Sequence, residues 1–209
     1  LANDSLTNLT YISRTLPPLA RVLELQGGFL ESLTIRSPER MCSETPLYNG
    51  SELALLSAAS RLTHLGVNVD RNGTWPWETL GLLASIPSLR SLDIWLDITS
   101  DCRREMPDAG LHNTNITCEG EEHYRTPHVG VEAASEVFQY LRDKKVGEAL
   151  DNVAFFVGDW EPPWNGPLYF PLWIEGKRAS VRCTAQNGVG DKAWCRVEKG
   201  EQYWKKDEY

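Results

Sequence analysis

The sequence predicts an α/β fold, an irregular solenoid with a curved parallel sheet and a C-terminal aromatic cap. Three observations carry that expectation. A six-residue phrase recurs: Leu30-Glu31-Ser32-Leu33-Thr34-Ile35, Leu62-Thr63-His64-Leu65-Gly66-Val67, Leu89-Arg90-Ser91-Leu92-Asp93-Ile94 and Leu150-Asp151-Asn152-Val153-Ala154-Phe155. Its last steps alternate apolar and other residues, as in a strand with one buried face. The first three phrases start 32 residues apart (30 to 62) and 27 apart (62 to 89), a period typical of stacked repeats. Helix-like stretches lie between them, and strands alternating with helices imply parallel strands joined by crossovers. A single strand–helix unit cannot bury its apolar face alone and must stack on a neighbour. The competing fold is a compact three-layer α/β domain, and the recurring phrase favours the solenoid.

Residues 4–24 read as a helix, with Leu6, Leu9, Ile12, Leu16, Leu19 and Leu23 on one stripe. Asp4 or Ser5 suits its N-cap. Pro17 and Pro18 break or kink it, because proline lacks the amide donor and crowds the preceding turn. Gly27-Gly28 closes the segment. Strand 30–35 follows, then a loop with Pro38, Cys42 and Pro46, then a helix near 51–59 that Ser51 and Glu52 open. Strand 62–69 turns at Asp70-Arg71-Asn72-Gly73 into a helix from Pro76 to about Ser85, proline being suited to a first helical turn. Strand 89–98 is the most regular, with Leu92, Ile94, Leu96 and Ile98 on one face.

The fourth phrase comes 61 residues later (89 to 150), about twice the period. The excess is residues 99–128, which lack apolar periodicity. Irregular loops of that length are commonly functional or disordered. A helix over 131–147 buries Val131, Ala134, Val137, Phe138 and Leu141, and strand 150–157 ends the series. Beyond it, Arg178–Cys183 and Trp194–Val197 are suited to a hairpin or edge strands, and the charged stretch from Glu198 is expected to fray. The organisation expected is therefore an N-terminal helical cap (1–28), strand–helix repeats (29–157, with a loop insertion at 99–128) and a C-terminal capping segment (158–209).

The chain has 209 residues, 41% hydrophobic and 24% charged, an ordinary globular composition. A formal net charge of -8 without a basic stripe argues against nucleic-acid binding. Arg142, Lys144 and Lys145 read as the solvated face of a helix. No apolar run approaches the roughly 20 residues that span a bilayer. Leu1 in first place suggests a processed or excised piece. The five cysteines, Cys42, Cys102, Cys118, Cys183 and Cys195, fit free buried thiols, or two short-loop bridges, Cys102–Cys118 and Cys183–Cys195, with one spare. Five glycosylation triplets begin at Asn3, Asn8, Asn49, Asn72 and Asn115, against about one expected by chance. They pull toward secretion.

The repeated Leu-x-x-Leu-x-Ile/Val phrase resembles the long, irregular form of leucine-rich repeats, over roughly residues 25–160. The terminal stretch Val157-Gly158-Asp159-Trp160, Gly166-Pro167-Leu168-Tyr169-Phe170-Pro171, Trp173, Gly176-Lys177-Arg178 and Cys183 is similar to uncharacterised filamentous-fungal proteins, many of which carry an N-terminal F-box. That resemblance implies the substrate-recognition region of a ubiquitin-ligase adapter in the cytoplasm or nucleus. There the cysteines would be mostly reduced and the triplets unused. A Skp-type adapter partner is implied only if an F-box lies upstream, since these residues contain none. The asparagine that usually caps each repeat's strand turn is also missing or displaced. A secreted fungal glycoprotein that binds a host or cell-wall partner is the alternative, and an unrecognised hydrolase the third reading.

Residues that alternate with the buried ones share the open face of the strands. They place a partner-binding surface at His64, Asn68, Asp93, Trp95, Asp97 and Phe156, flanked by the insertion. Aromatics beside polar groups are common anchors of interfaces. The plainer reading is that the insertion or the terminal segment covers them. Cys102, His112, Cys118, His123 and His128 are zinc-compatible, but nine, five, four and four intervening residues match no closed site, so no metal is expected. Asp93, Asp97 and Asp159 suit acid–base work, yet alternating acids on an exposed strand are usually just solvated. No nucleophile elbow, P-loop or His-Glu-x-x-His occurs, so neither an enzyme nor a cofactor is expected. Trp160, Trp164, Tyr169, Phe170 and Trp173 read as a cap over the last exposed core edge.

Overall fold

The computed structural model describes residues 6–38, 45–70, 74–96, 129–157, 179–186 and 193–199. Seven strands form one open sheet in strict chain order. They are β1 (Asn8–Ile12), β2 (Ser32–Arg36), β3 (His64–Val69), β4 (Ser91–Leu96), β5 (Asn152–Val157), β6 (Ala179–Ala185) and β7 (Ala193–Lys199). The first five are parallel to one another, and β6 and β7 add an antiparallel hairpin at the β5 edge. Among the described residues four helices complete the mixed α/β fold: α1 (Leu19–Gln26), α2 (Gly50–Ala54, running into a single 3-10 turn at Leu55–Ala58), α3 (Trp77–Ala84) and α4 (Val131–Lys144).

The expected phrase sets the register. Leu9, Leu33, Leu65, Leu92 and Val153 lie side by side, as do Tyr11, Ile35, Val67, Ile94 and Phe155. These two rows, Tyr11 and Leu9 only partly, are buried against Leu19, Leu53, Leu56, Leu80, Leu83, Val137, Phe138 and Leu141 of the helical layer. The second residue of each phrase makes the same backbone join to the next. The Thr7 carbonyl accepts from the amides of Glu31 and Ser32, Glu31 from Thr63 and His64, Thr63 from Arg90 and Ser91, and Arg90 from Asp151 and Asn152. These groups would otherwise be unpaired at the strand starts, where each chain enters the sheet.

The helix expected over 4–24 is corrected to strand β1 followed by α1. Leu6-Thr7-Asn8-Leu9-Thr10-Tyr11 is a fifth copy of the phrase. Pairing it with β2 satisfies a ladder of backbone groups that a short solvent-facing helix would leave with fewer buried contacts. Pro17 and Pro18 hold the chain extended until α1 begins. The described part of the expected N-terminal helical cap (1–28) is a strand followed by a helix.

Two smaller corrections concern caps and stripes. The helix start expected at Ser51 lies earlier. Asn49 caps α2, accepting from the Glu52 amide at 2.9 Å while the Glu52 carboxylate accepts from the Asn49 amide at 2.9 Å. On α4, Ala134, Val137, Phe138 and Leu141 are buried as expected, but Val131 is exposed. It opens the helix and lies before the first full turn. The hairpin expected from 178–183 and 194–197 is β6–β7, so the described part of the terminal segment extends the sheet. Its aromatics from Trp160 to Trp173 lie outside the described residues, as does the insertion 99–128.

Candidate binding face

The face of the sheet opposite the helices carries rows of polar and aromatic side chains. One row runs Ser32, His64, Ser91, Asn152 and Thr184, and the next runs Thr34, Gly66, Asp93, Ala154 and Arg182. A third contains Asn68, Trp95, Phe156 and Ser180. Strand alternation places all of them together, because every second residue of each phrase turns away from the core.

Trp95 and Phe156 are stacked, with ring centroids 4.8 Å apart and planes 11° apart. The Arg36 guanidinium lies 5.0 Å from the Trp95 ring centroid, a cation–π distance. Both aromatics are half-buried. Gly66 supplies the space for the indole: a Cβ there would lie 3.0 Å from Trp95 Cζ3 and from Thr34 Oγ1. Asn68, expected as a contact residue, is only 7% exposed, and its Oδ1 accepts from the Ser37 amide at 2.8 Å. It braces the end of β2 and has little surface to offer a partner.

Beside the stack, Ser91 donates through Oγ to Asn152 Oδ1 at 2.8 Å, and His64 Nδ1 lies 3.1 Å from Ser91 Oγ. The other imidazole nitrogen, Nε2, is 3.7 Å from Asp93 Oδ2, beyond hydrogen-bond length. Serine, histidine and aspartate thus meet on one face. The serine proton goes to an amide oxygen, however, and the imidazole is not oriented by a bonded carboxylate, which an activated nucleophile requires. Burial pushes the Asp93 pKa up, and nearby His64 and Arg182 partly offset that effect. Its Oδ1 is buried without a hydrogen bond. On the last two strands Glu198 accepts from Arg182 at 2.9 Å, and Arg196 lies over Trp194 at 5.5 Å.

Of the six residues expected at the surface, the structure brings His64, Asp93, Trp95 and Phe156 together, buries Asn68, and leaves Asp97 outside the described residues. Arg36, Gly66, Ser91, Asn152 and Arg182 complete the face. Ser91 and Asn152 were legible as alternating strand positions. Arg36 follows its phrase as Asn68, Trp95 and Phe156 follow theirs, so the same alternation placed it on this face, although at 8% exposed it is as buried as Asn68. Asp159 and the zinc-compatible residues Cys102, His112, Cys118, His123 and His128 also lie outside the described residues. Among the described residues no cluster of metal ligands occurs, and no helix is long and apolar enough to cross a membrane.

Elsewhere, a cleft of about 380 Å³ is lined by Leu16, Pro17, Pro18, Pro46, Leu47 and Tyr48 among others. The Tyr48 hydroxyl donates to the Pro17 carbonyl at 2.7 Å. Burial, with Glu52 and Tyr11 nearby, raises its pKa, so the phenol stays neutral. Cys183 and Cys195 face each other across β6 and β7 and form a disulfide, with Cα atoms 4.0 Å apart. The mostly reduced state expected for the cysteines does not hold for this pair. Cys42, Cys102 and Cys118 lie outside the described residues. The chain matches no protein-family model, no curated protein and no solved structure.

Proposed function

We propose that the protein is a non-catalytic protein-binding module, a stack of leucine-rich-repeat-like units that presents the helix-free face of its sheet to a protein partner. The observation that carries this reading is the Trp95–Phe156 stack, half-exposed on that face, with the buried Arg36 guanidinium 5.0 Å from the indole centroid. Large aromatics are among the residue types that dominate interface energetics. The sequential order of the parallel strands and the identical backbone join between successive phrases support the repeat description. The bonding of Ser91 to Asn152 speaks for binding over hydrolysis.

Two settings fit such a module: the substrate-recognition region of an F-box-type adapter, and a secreted glycoprotein that binds a host or cell-wall protein. The Cys183–Cys195 bridge favours the second, since structural disulfides persist in oxidising compartments.

The test is affinity capture from the native source with wild-type and Trp95→Ala protein as bait, alongside melting curves. Loss of the anchor should weaken the captured complex about 30-fold, the equivalent of about 2 kcal/mol, at nearly unchanged Tm. A fall in Tm of more than about 8 °C would mark Trp95 as covered core and overturn the assignment.

A further inference from the structure

We infer that Asn8 and Asn49 carry N-linked glycans in the mature protein. The inference rests on the secretory setting proposed above and adds two modification sites to it.

An oligosaccharide is attached at Asn-x-Ser/Thr while the chain is still being made, so the finished fold must leave room for it. Each triplet among the described residues can be tested on that requirement. In Asn8-Leu9-Thr10, Asn8 and Thr10 are both exposed and Leu9 turns inward. Strand alternation puts the amide and the hydroxyl on one side of β1. Among the described residues that strand is the edge of the sheet, with β2 on one flank and no strand pairing on the other. The Asn8 side-chain amide makes one hydrogen bond, from Nδ2 to Thr7 Oγ1 at 3.1 Å. Its second hydrogen is the one glycosylation replaces.

In Asn49-Gly50-Ser51 all three residues are exposed. Here the chemistry of the cap is compatible with a sugar. Asn49 caps α2 through Oδ1, which accepts from the Glu52 amide, and the return bond uses the Asn49 backbone amide. Nδ2 takes no part in either bond. Glycosylation there keeps the acceptor and the capping box intact. Neither triplet is buried or locked in a way that forbids the modification, although five triplets stand where about one is expected by chance.

The reaction is a group transfer without redox change. The donor is an oligosaccharide linked through C1 to a polyprenyl pyrophosphate. Its C1–O bond breaks, C1 bonds to Nδ2 of the asparagine, one Nδ2 proton is lost, and polyprenyl pyrophosphate leaves. A glycan on Asn8 would rise from the helix-free face at the β1 end of the row that Ser32 and His64 continue.

The test is peptide mass analysis of the full-length protein purified from its own organism, with and without a peptide-N-glycosidase and without reductant. Hexose-bearing peptides at Asn8 and Asn49, converted to aspartate by the enzyme, are expected, together with an intact Cys183–Cys195 bridge. An intact bridge with unmodified Asn8 and Asn49 overturns the glycan sites and leaves the secretory reading standing. Free thiols at Cys183 and Cys195 with no glycan overturn both.

Discussion

Gly66 makes the room that Trp95 occupies. A side chain on this residue of β3 would meet Trp95 Cζ3 and Thr34 Oγ1 at 3.0 Å, closer than packed carbons sit. The indole edge therefore rests on bare backbone, while Phe156 of the neighbouring β5 stacks on the ring and the Arg36 guanidinium reaches it from β2, two strands away. Gly66→Ala should displace the stack, costing about 1–3 kcal/mol by overpacking, and should weaken partner capture in the same direction as Trp95→Ala. Melting curves and titration of the captured partner check this. Unchanged affinity in Gly66→Ala would mean that the stack is not the contact surface.

Asp93 supplies a pH-dependent prediction. Its pKa is raised in the folded protein, mainly by burial. The folded state therefore holds the proton more tightly than the unfolded chain does. Stability from this group is complete below the ordinary carboxylate pKa, near 4, and is lost as pH rises through the folded value. Asp93→Asn removes the ionisation, so its Tm should exceed that of the wild type at neutral pH, with the gap closing near pH 4. A gap that widens on acidification would show that the His64 and Arg182 attractions outweigh burial.

The disulfide between Cys183 and Cys195 closes a loop of sequence separation 12 and ties β7, the last strand, to β6. Loss of such a short loop closure costs about 2–4 kcal/mol. Cys183→Ser with Cys195→Ser should lower Tm by roughly 5–15 °C. Reductant should lower the wild-type Tm by a similar amount and leave the double variant unmoved. Equal sensitivity of both proteins to reductant would place the labile bond elsewhere.

Gly147, at the turn from α4 into β5, has φ of +81°, a region that side chains disfavour. A Cβ there would also lie 2.5 Å from the Pro87 carbonyl oxygen. That turn is pinned to the connection between α3 and β4: Glu148 donates its amide to the Pro87 carbonyl at 2.8 Å, and Lys145 Nζ donates to the carbonyls of Ile86 at 2.8 Å and Pro87 at 3.0 Å. Gly147→Ala should destabilise the protein by about 2 kcal/mol or more, read in chemical denaturation. A cost within about 0.5 kcal/mol would mean that the turn relaxes.

What the sequence determined by itself was the repeating strand and its two faces. Alternation within Leu-x-x-Leu-x-Ile assigns each side chain to core or open face without reference to any distant residue, so His64, Asp93, Trp95 and Phe156 were legible as neighbours. Periodicity failed at the N-terminus. Leu6, Leu9, Ile12 and Leu16 satisfy a helical stripe, while Leu6, Leu9 and Tyr11 satisfy the strand phrase, and local pattern cannot choose between them. The edge of β2 decides, because its unpaired backbone groups gain partners only if residues 8–12 are extended. Tertiary structure alone also placed Arg36 over Trp95, turned Asn68 inward to bond Ser37, and set Cys195 opposite Cys183 out of the connectivities that five cysteines allow. Each of those outcomes depends on strand register, a relation between residues far apart in the chain.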